Sequence, residues 1–437
     1  MRNKTTIFYR KKQAVNLEYT AEGISSDGGF VISEKLEKTT GLLRGFSKCI
    51  DDNRHRSYTE HSYYKMVKQR VFLLNQGYED ANDEKYLRDD PVLGVALNGL
   101  TASQPTISRL ETKISRNEIY SMSNYFVERY ISSIPKEKKR IIIDVDSSDL
   151  ETHGSQQMSM FNDFYGHHMY NPLFFHDGET GQLILPVLRA GNVHTSRGFV
   201  TILKHLVEKI KARRSGIKII IRGDSGFSGA EFYALANRED MQFCVGISGN
   251  KVLQRHVGTE KELIKMWFLE HGQQYQYFTE AMEYQAQSWK RPEKVYAKVE
   301  ATKQGMNIRF FCSNMRGQTA KELYMDFYVK RGDRSENRIK EVKSMCFSGR
   351  LSCHEFYANY FRIFLSALSY EMFRMLREKI AQTRHTESAK WQVANMRLFL
   401  LKVGTIVVNR ARSITIMFSK TYICRDLLVD ILHLMRC

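Results

Sequence analysis

Proline is scarce in this chain, six among 437 residues, and no low-complexity linker or internal repeat interrupts it, so stiff spacers between domains are not expected. No uninterrupted apolar stretch approaches the about 20 residues of a membrane-spanning helix. The basic N-terminus has no apolar run behind it, which excludes the pattern of a signal peptide. The seven cysteines, at positions 49, 244, 312, 346, 353, 424 and 437, form no CxxC pair. Reduced, mostly buried thiols in a cytoplasmic protein are the expectation. Cys346, Cys353 and His354 have no evident fourth partner for zinc. Acidic charge is in the minority, because Lys and Arg outnumber Asp and Glu by 66 to 48, leaving +18 and a pI near 9.4. That excess points to a polyanionic partner without separating DNA from RNA, and it suits a nucleoid-associated protein. Basic clusters lie at residues 10–12, 136–140, 209–214 and 331–343. Any one of them is explained by a solvated surface; their sum is harder to dismiss.

The few acids sit in informative places. Residues 141–146, Ile-Ile-Ile-Asp-Val-Asp, and 219–224, Ile-Ile-Ile-Arg-Gly-Asp, read as strands covered on both faces, since short isoleucine runs bounded by polar residues or glycine suit that environment. Asp144 and Asp146 are two apart and project to one face of a strand, where two carboxylates repel unless a cation neutralises them. Asp149 adds a third negative charge, and Ser147 and Ser148 allow a sharp turn. A strand end whose aspartates cap a turn accounts for the same residues. Asp224, between Gly223 and Gly226, leaves its strand into a turn that glycine makes easy, either as a metal ligand or as a cap for the next helix. Glu336 falls in a segment, 328–343, where a helix starting near Ser335 points it the same way as Lys340 and Lys343. The plain account is an ion-pair ladder worth ~0.3 to 0.5 kcal/mol for each pair. In the functional account Glu336 completes a site for hard divalent cations such as Mg²⁺, beside which Tyr328, Arg331 and Lys343 hold backbone phosphates.

Along the chain, residues 1–135 carry a mostly helical pattern and are expected to form an N-terminal DNA-binding region. Within it, Ser103-Gln104-Pro105-Thr106 resembles a capped turn opening a helix that offers Ser108, Arg109 and Lys113 outward. Both a helix-turn-helix and an ordinary capped helix fit. Residues 136–250 alternate strands, an Asp-Gly turn at 177–178, and helices at 199–213 and 228–237, the order of a ribonuclease H-like mixed sheet flanked by helices. Residues 251–325 interrupt this α/β core with a β-rich insertion. Residues 326–437 return to the core, with a long helix at 353–381 and a strand pair at 401–419.

Several motifs in order carry a family resemblance: Asp146-Ser147-Ser148, Thr152-His153-Gly154 with Gln156-Gln157, Gly191-Asn192-Val193-His194, Arg222-Gly223-Asp224-Ser225-Gly226-Phe227, and the Tyr-Arg-Glu-Lys segment. From about residue 30 onward the chain resembles bacterial insertion-sequence DDE transposases of the thirteen-eighty group, within the insertion-sequence-four superfamily. The resemblance implies catalytic, metal-holding acids at Asp146, with Asp144 as a close rival, at Asp224 and at Glu336. It implies DNA contacts from Tyr328 and Lys343, and from an arginine whose position is displaced here: Arg331 stands five residues before Glu336 instead of four, and Arg334 is also available. Trp289, flanked by Lys290 and Arg291, is a stacking candidate for an extruded end base or a core residue.

The resemblance further implies cut-and-paste transposition with Mg²⁺, for which Mn²⁺ substitutes, and double-stranded DNA partners: the terminal inverted repeats and the target. A dimer on DNA and no membrane association are expected. A metal-dependent nuclease of the same fold and a non-catalytic DNA-binding regulator are the alternatives. His194 is left open, with a core hydrogen bond as its ordinary use.

Overall fold

The computed structural model describes residues 5–332 and 337–435. Its centre is a nine-stranded sheet: β1 (Arg140–Ser147), β2 (Leu173–Asp177), β3 (Leu183–Val187), β4 (Lys218–Gly223), β5 (Gln242–Ile247), β6 (Tyr275–Phe278), β7 (Met282–Tyr284), β8 (Glu293–Thr302) and β9 (Gly305–Ser313). The spatial order is β6-β8-β9-β5-β4-β1-β2-β3, with β7 also on β8. The first three strands pair antiparallel, whereas β4 joins β1, and β5 joins β4, in parallel. Parallel neighbours need crossovers, supplied by helices Phe199–Arg213 and Ala230–Arg238. The order 3-2-1-4-5 with this mix of directions is the ribonuclease H-like arrangement.

Strand alternation explains the isoleucine runs. Ile141, Ile143, Val145, Ile219 and Ile221 face Phe199, Leu203, Val207 and Phe232 of the two crossover helices. Ile142, Ile220, Cys244 and Phe311 point the other way, beneath Leu323, Tyr324, Phe327 and Tyr328. Both faces are therefore largely apolar over the middle of the sheet, with Asp144, Arg222 and His176 as buried exceptions.

The strands of residues 251–325 do not stand apart. β8 and β9 extend the central sheet, with β9 antiparallel to β5 from Cys244↔Ser313 to Ile247↔Phe310. The start of this stretch is helical, Lys251–His256 and Gly258–His271, because the Asn250 side chain accepts from the Val252 and Leu253 amides and caps the first turn. Between β1 and β2 the chain makes a separate small sheet of Leu150–Glu151, Met160–Asn162 and His167–Tyr170.

Helices before residue 134 pack around the long helix Phe356–Ala381, whose apolar residues are buried all round rather than on one side only. A helix apolar on every face belongs at a centre. Phe46 rings lie 6.3 Å from Phe361 and 6.0 Å from Phe364, so early and late parts of the chain share one core. The expected late strand pair is Thr405–Arg410 with Ser413–Phe418, to which Ile24–Ser25 adds a third strand. A hairpin, Thr5–Arg10 with Gln13–Leu17, opens the described chain where a helical pattern was expected, and a helix, Arg425–Leu434, follows the late strands. Among the described residues no helix is long and apolar enough to cross a membrane.

Candidate active site

The parallel register fixes where the acids fall. Asp144 of β1 lies opposite Arg222 of β4; two residues farther along each chain come Asp146, still on β1, and Asp224, just past the end of β4. Both face the side of the sheet covered by the segment that carries Tyr328 and Arg331.

Asp144 is 1% exposed and receives two hydrogen bonds from the Arg222 guanidinium, Nε to Oδ1 at 2.6 Å and Nη2 to Oδ2 at 2.9 Å. Arg222 also donates to the Phe327 carbonyl at 2.7 Å. This pair is desolvated and geometrically complete, so Asp144 ties β1 to β4 and to the covering helix. Asp146 lies nearer the solvent. Its Oδ1 accepts from the Ser147 amide and its Oδ2 from Arg331 Nη1, each at 2.9 Å. Asp224 Oδ1 accepts from the Gly226 amide at 2.8 Å and holds the turn 225–227.

Arg331 is 9% exposed. Burial works against its charge, but Asp146, Tyr328, Asp224 and Asp144 outweigh that and raise its pKa. Tyr328 stacks on Phe311, and burial pushes its phenol up to about 12 against the opposing pull of Arg331. A Cβ on Gly246 would lie 2.8 Å from the Tyr328 hydroxyl, 2.9 Å from the Ser225 amide nitrogen and 3.2 Å from the Asp224 carbonyl carbon. Only glycine lets Tyr328 approach the Asp224 turn so closely. Lys343 Nζ meets Asp149 Oδ1 at 2.8 Å, and His167 Nε2 stands 3.7 Å from Asp149 Oδ2.

Arg334 and Glu336 lie outside the described residues. Among those described, no group of three or more His, Cys, Asp or Glu side chains forms a metal set. The donor chemistry nevertheless suits a hard cation: two carboxylates at adjacent strand ends, facing one buried guanidinium. The Nε of that guanidinium has no partner among the described residues.

Other expected residues lie elsewhere. Trp289 is 9% exposed and packs 4.7 Å from Tyr233 and 5.3 Å from Tyr284 in the sheet's helix-covered core. Stacking on a base would require that packing to open. Arg109 is exposed on helix Gln104–Lys113. Lys113 is exposed, as expected, and donates to the Asp51 carbonyl and the Tyr63 hydroxyl. His194 is exposed and pairs with Ser196, not with the core. Sequence reasoning missed Arg222 as the partner of Asp144, and it missed Tyr165, whose ring lies 6.1 Å from that of His167, the neighbour of Asp149. The signal for Arg222 was its strand position two before Asp224; for Tyr165 there was none.

No curated protein matches the chain. Among solved structures, a piggyBac transposase in a synaptic complex with hairpin DNA is similar at a TM-score of 0.41 and 11% identity, over 87% of this chain and 82% of that one. The family described as transposase DDE domain group 1 matches residues 8–437. The chain accordingly belongs to that family and is a DDE transposase, a polynucleotidyl transferase.

Proposed function

We propose that this protein is a cut-and-paste enzyme of the thirteen-eighty insertion-sequence group, acting on double-stranded DNA. Its acids are Asp146, Asp224 and Glu336. The observation that carries this reading is the register: Asp146 and Asp224 end neighbouring parallel strands on the face covered by the segment that leads to Glu336. Asp146 is preferred to Asp144 because the latter is fully engaged with Arg222 in the interior.

Divalent-metal use goes with the family, and Mg²⁺, with Mn²⁺ as substitute, is the expected ion. Two such ions between the three acids would activate a water and stabilise the leaving oxygen at the transposon end. The residues themselves do the positioning. Asp224 keeps its turn closed through the Gly226 amide, which bonds only its Oδ1. Arg331, bonded to Asp146, sits where a scissile phosphate would need a donor, and Tyr328 offers a hydroxyl that stays protonated at neutral pH. Lys343 extends the positive rim, Arg334 is a further candidate for phosphate contact on the family resemblance alone, and Arg109 extends phosphate binding to the helical region 1–135. The freed 3′-oxygen then attacks a target phosphodiester, forming one P–O bond as another breaks. Holding two ends at once calls for a dimer on DNA, in the cytoplasm at the nucleoid.

Replacing Asp224 or Glu336 with Ala should abolish end cleavage in Mg²⁺ while leaving end binding within a few-fold; cleavage at the native rate by either variant would refute its role. Joining of a pre-cleaved end to a second DNA separates transposition from simple hydrolysis.

A further inference from the structure

The small sheet between β1 and β2 ends in a hairpin tip, residues 162–167, that is built with care for a surface loop. Asn162 Oδ1 accepts from the Phe164 amide at 3.1 Å and the Tyr165 amide at 3.4 Å. Its carbonyl accepts from Gly166, which adopts a φ of +75° that favours glycine. Its Nδ2 donates to the Gly191 carbonyl at 2.8 Å, anchoring the tip to the chain beyond β3. A Cβ on Gly191 would fall 1.9 Å from the Met169 carbonyl oxygen, so this anchor is packed against the hairpin backbone itself.

This turn presents two exposed rings side by side. Phe164 is 88% exposed, edge-on to Tyr165 at 5.0 Å. Phe161 and Met160 of the same hairpin are also exposed. Tyr165 is less open, at 40% exposed. Burial, and behind it the charges of Asp149, Asp146 and Asp224, push its phenol up, so it remains a donor. His167, next to Tyr165, approaches Asp149, which Lys343 also contacts. A pre-organised aromatic therefore stands at the rim of a phosphoryl-transfer site, with Lys343 and His167 beside it.

We propose that Phe164 stacks on the terminal base pair created when the DNA strand is cut, with the edge-on Tyr165 ring supporting it. An intact duplex hides the faces of its bases, whereas a cut end exposes one, and stacking on an aromatic ring is insensitive to sequence. Such a contact forms only after cleavage. It holds the end in the site until the second step.

The proposal rests on the acids marking the reacting phosphate, and its test reads binding alone. In an E336Q background that does not cut, wild-type and F164A proteins are compared on duplexes ending at the cleavage point and on duplexes continuing past it. F164A should bind the cut end roughly ten-fold more weakly, bind the continuous duplex unchanged, and keep its melting temperature, while F164W restores the cut-end affinity. A 2-aminopurine at the terminal position should be quenched by the protein carrying Phe164 and not by F164A. Equal affinity of F164A and wild type for the cut end, or equal loss on both duplexes, overturns the proposal. So does a change of oligomeric state with DNA binding intact, which would make the tip a protein contact. Cleavage that survives D224A would sink the acid assignment while leaving this binding comparison readable.

Discussion

Two aspartates two residues apart are set to different work by their depth. Asp144 is paired in the interior and Asp146 faces the rim. Removing one partner of a buried pair typically costs ~3 to 5 kcal/mol, so D144N should lose much of its thermal stability, whereas D146N should lose cleavage with a smaller drop in Tm. Calorimetry beside a cleavage assay separates them. A second residue-scale test concerns His176, fully buried opposite Asp144 and pushed down to about 3, by burial first and the charge of Arg338 second. The unfolded chain takes up this proton near about 6.5, the folded one only near 3. Stability is thus complete above the unfolded value and falls as pH drops between the two. The contribution at pH 5 is a loss on the order of 2 kcal/mol, and urea midpoints at pH 7 and 5 should converge in H176F. Gly246 offers a third. G246A forces a methyl against Tyr328 and the Asp224 turn, so ~1 to 3 kcal/mol of stability and most cleavage activity should go together.

Elements were legible where local pattern decides them. The isoleucine runs of β1 and β4, the Asp-Gly turn after β2 and the helix Phe199–Arg213 all stand where periodicity put them. What pattern does not carry is partnership at a distance. The Arg222–Asp144 pair spans 78 positions and exists because β4 aligns on β1 in one register. The first hairpin of the described chain was missed because its two strands bury little, leaving no alternation to read. Helices 251–271 were missed because the aromatic, β-branched residues just beyond them dominate the stretch. For Trp289 the sequence left base stacking and a core place open, and its ring fills the space between Tyr233 and Tyr284. W289A should cost ~3 to 5 kcal/mol, while W289F, keeping an aromatic there, should bind transposon ends with unchanged affinity in a mobility-shift titration.

At the scale of the molecule, the excess of 18 positive charges is spread over the chain rather than gathered at the acids. Affinity for DNA should then fall steeply with salt. R109A should flatten the plot of log affinity against log salt by about 1 and weaken unrelated sequences as much as the cognate end, since a phosphate contact carries no sequence information.

The core in which Phe46 meets Phe361 and Phe364 has a consequence for synthesis. At ordinary ribosomal speed, on the order of half a minute separates the emergence of these partners. Until the late helix leaves the exit tunnel, the earlier helices have nothing to close upon. A message broken before that point would yield a product unable to finish its first half, and so unable to occupy transposon ends in competition with the full-length enzyme.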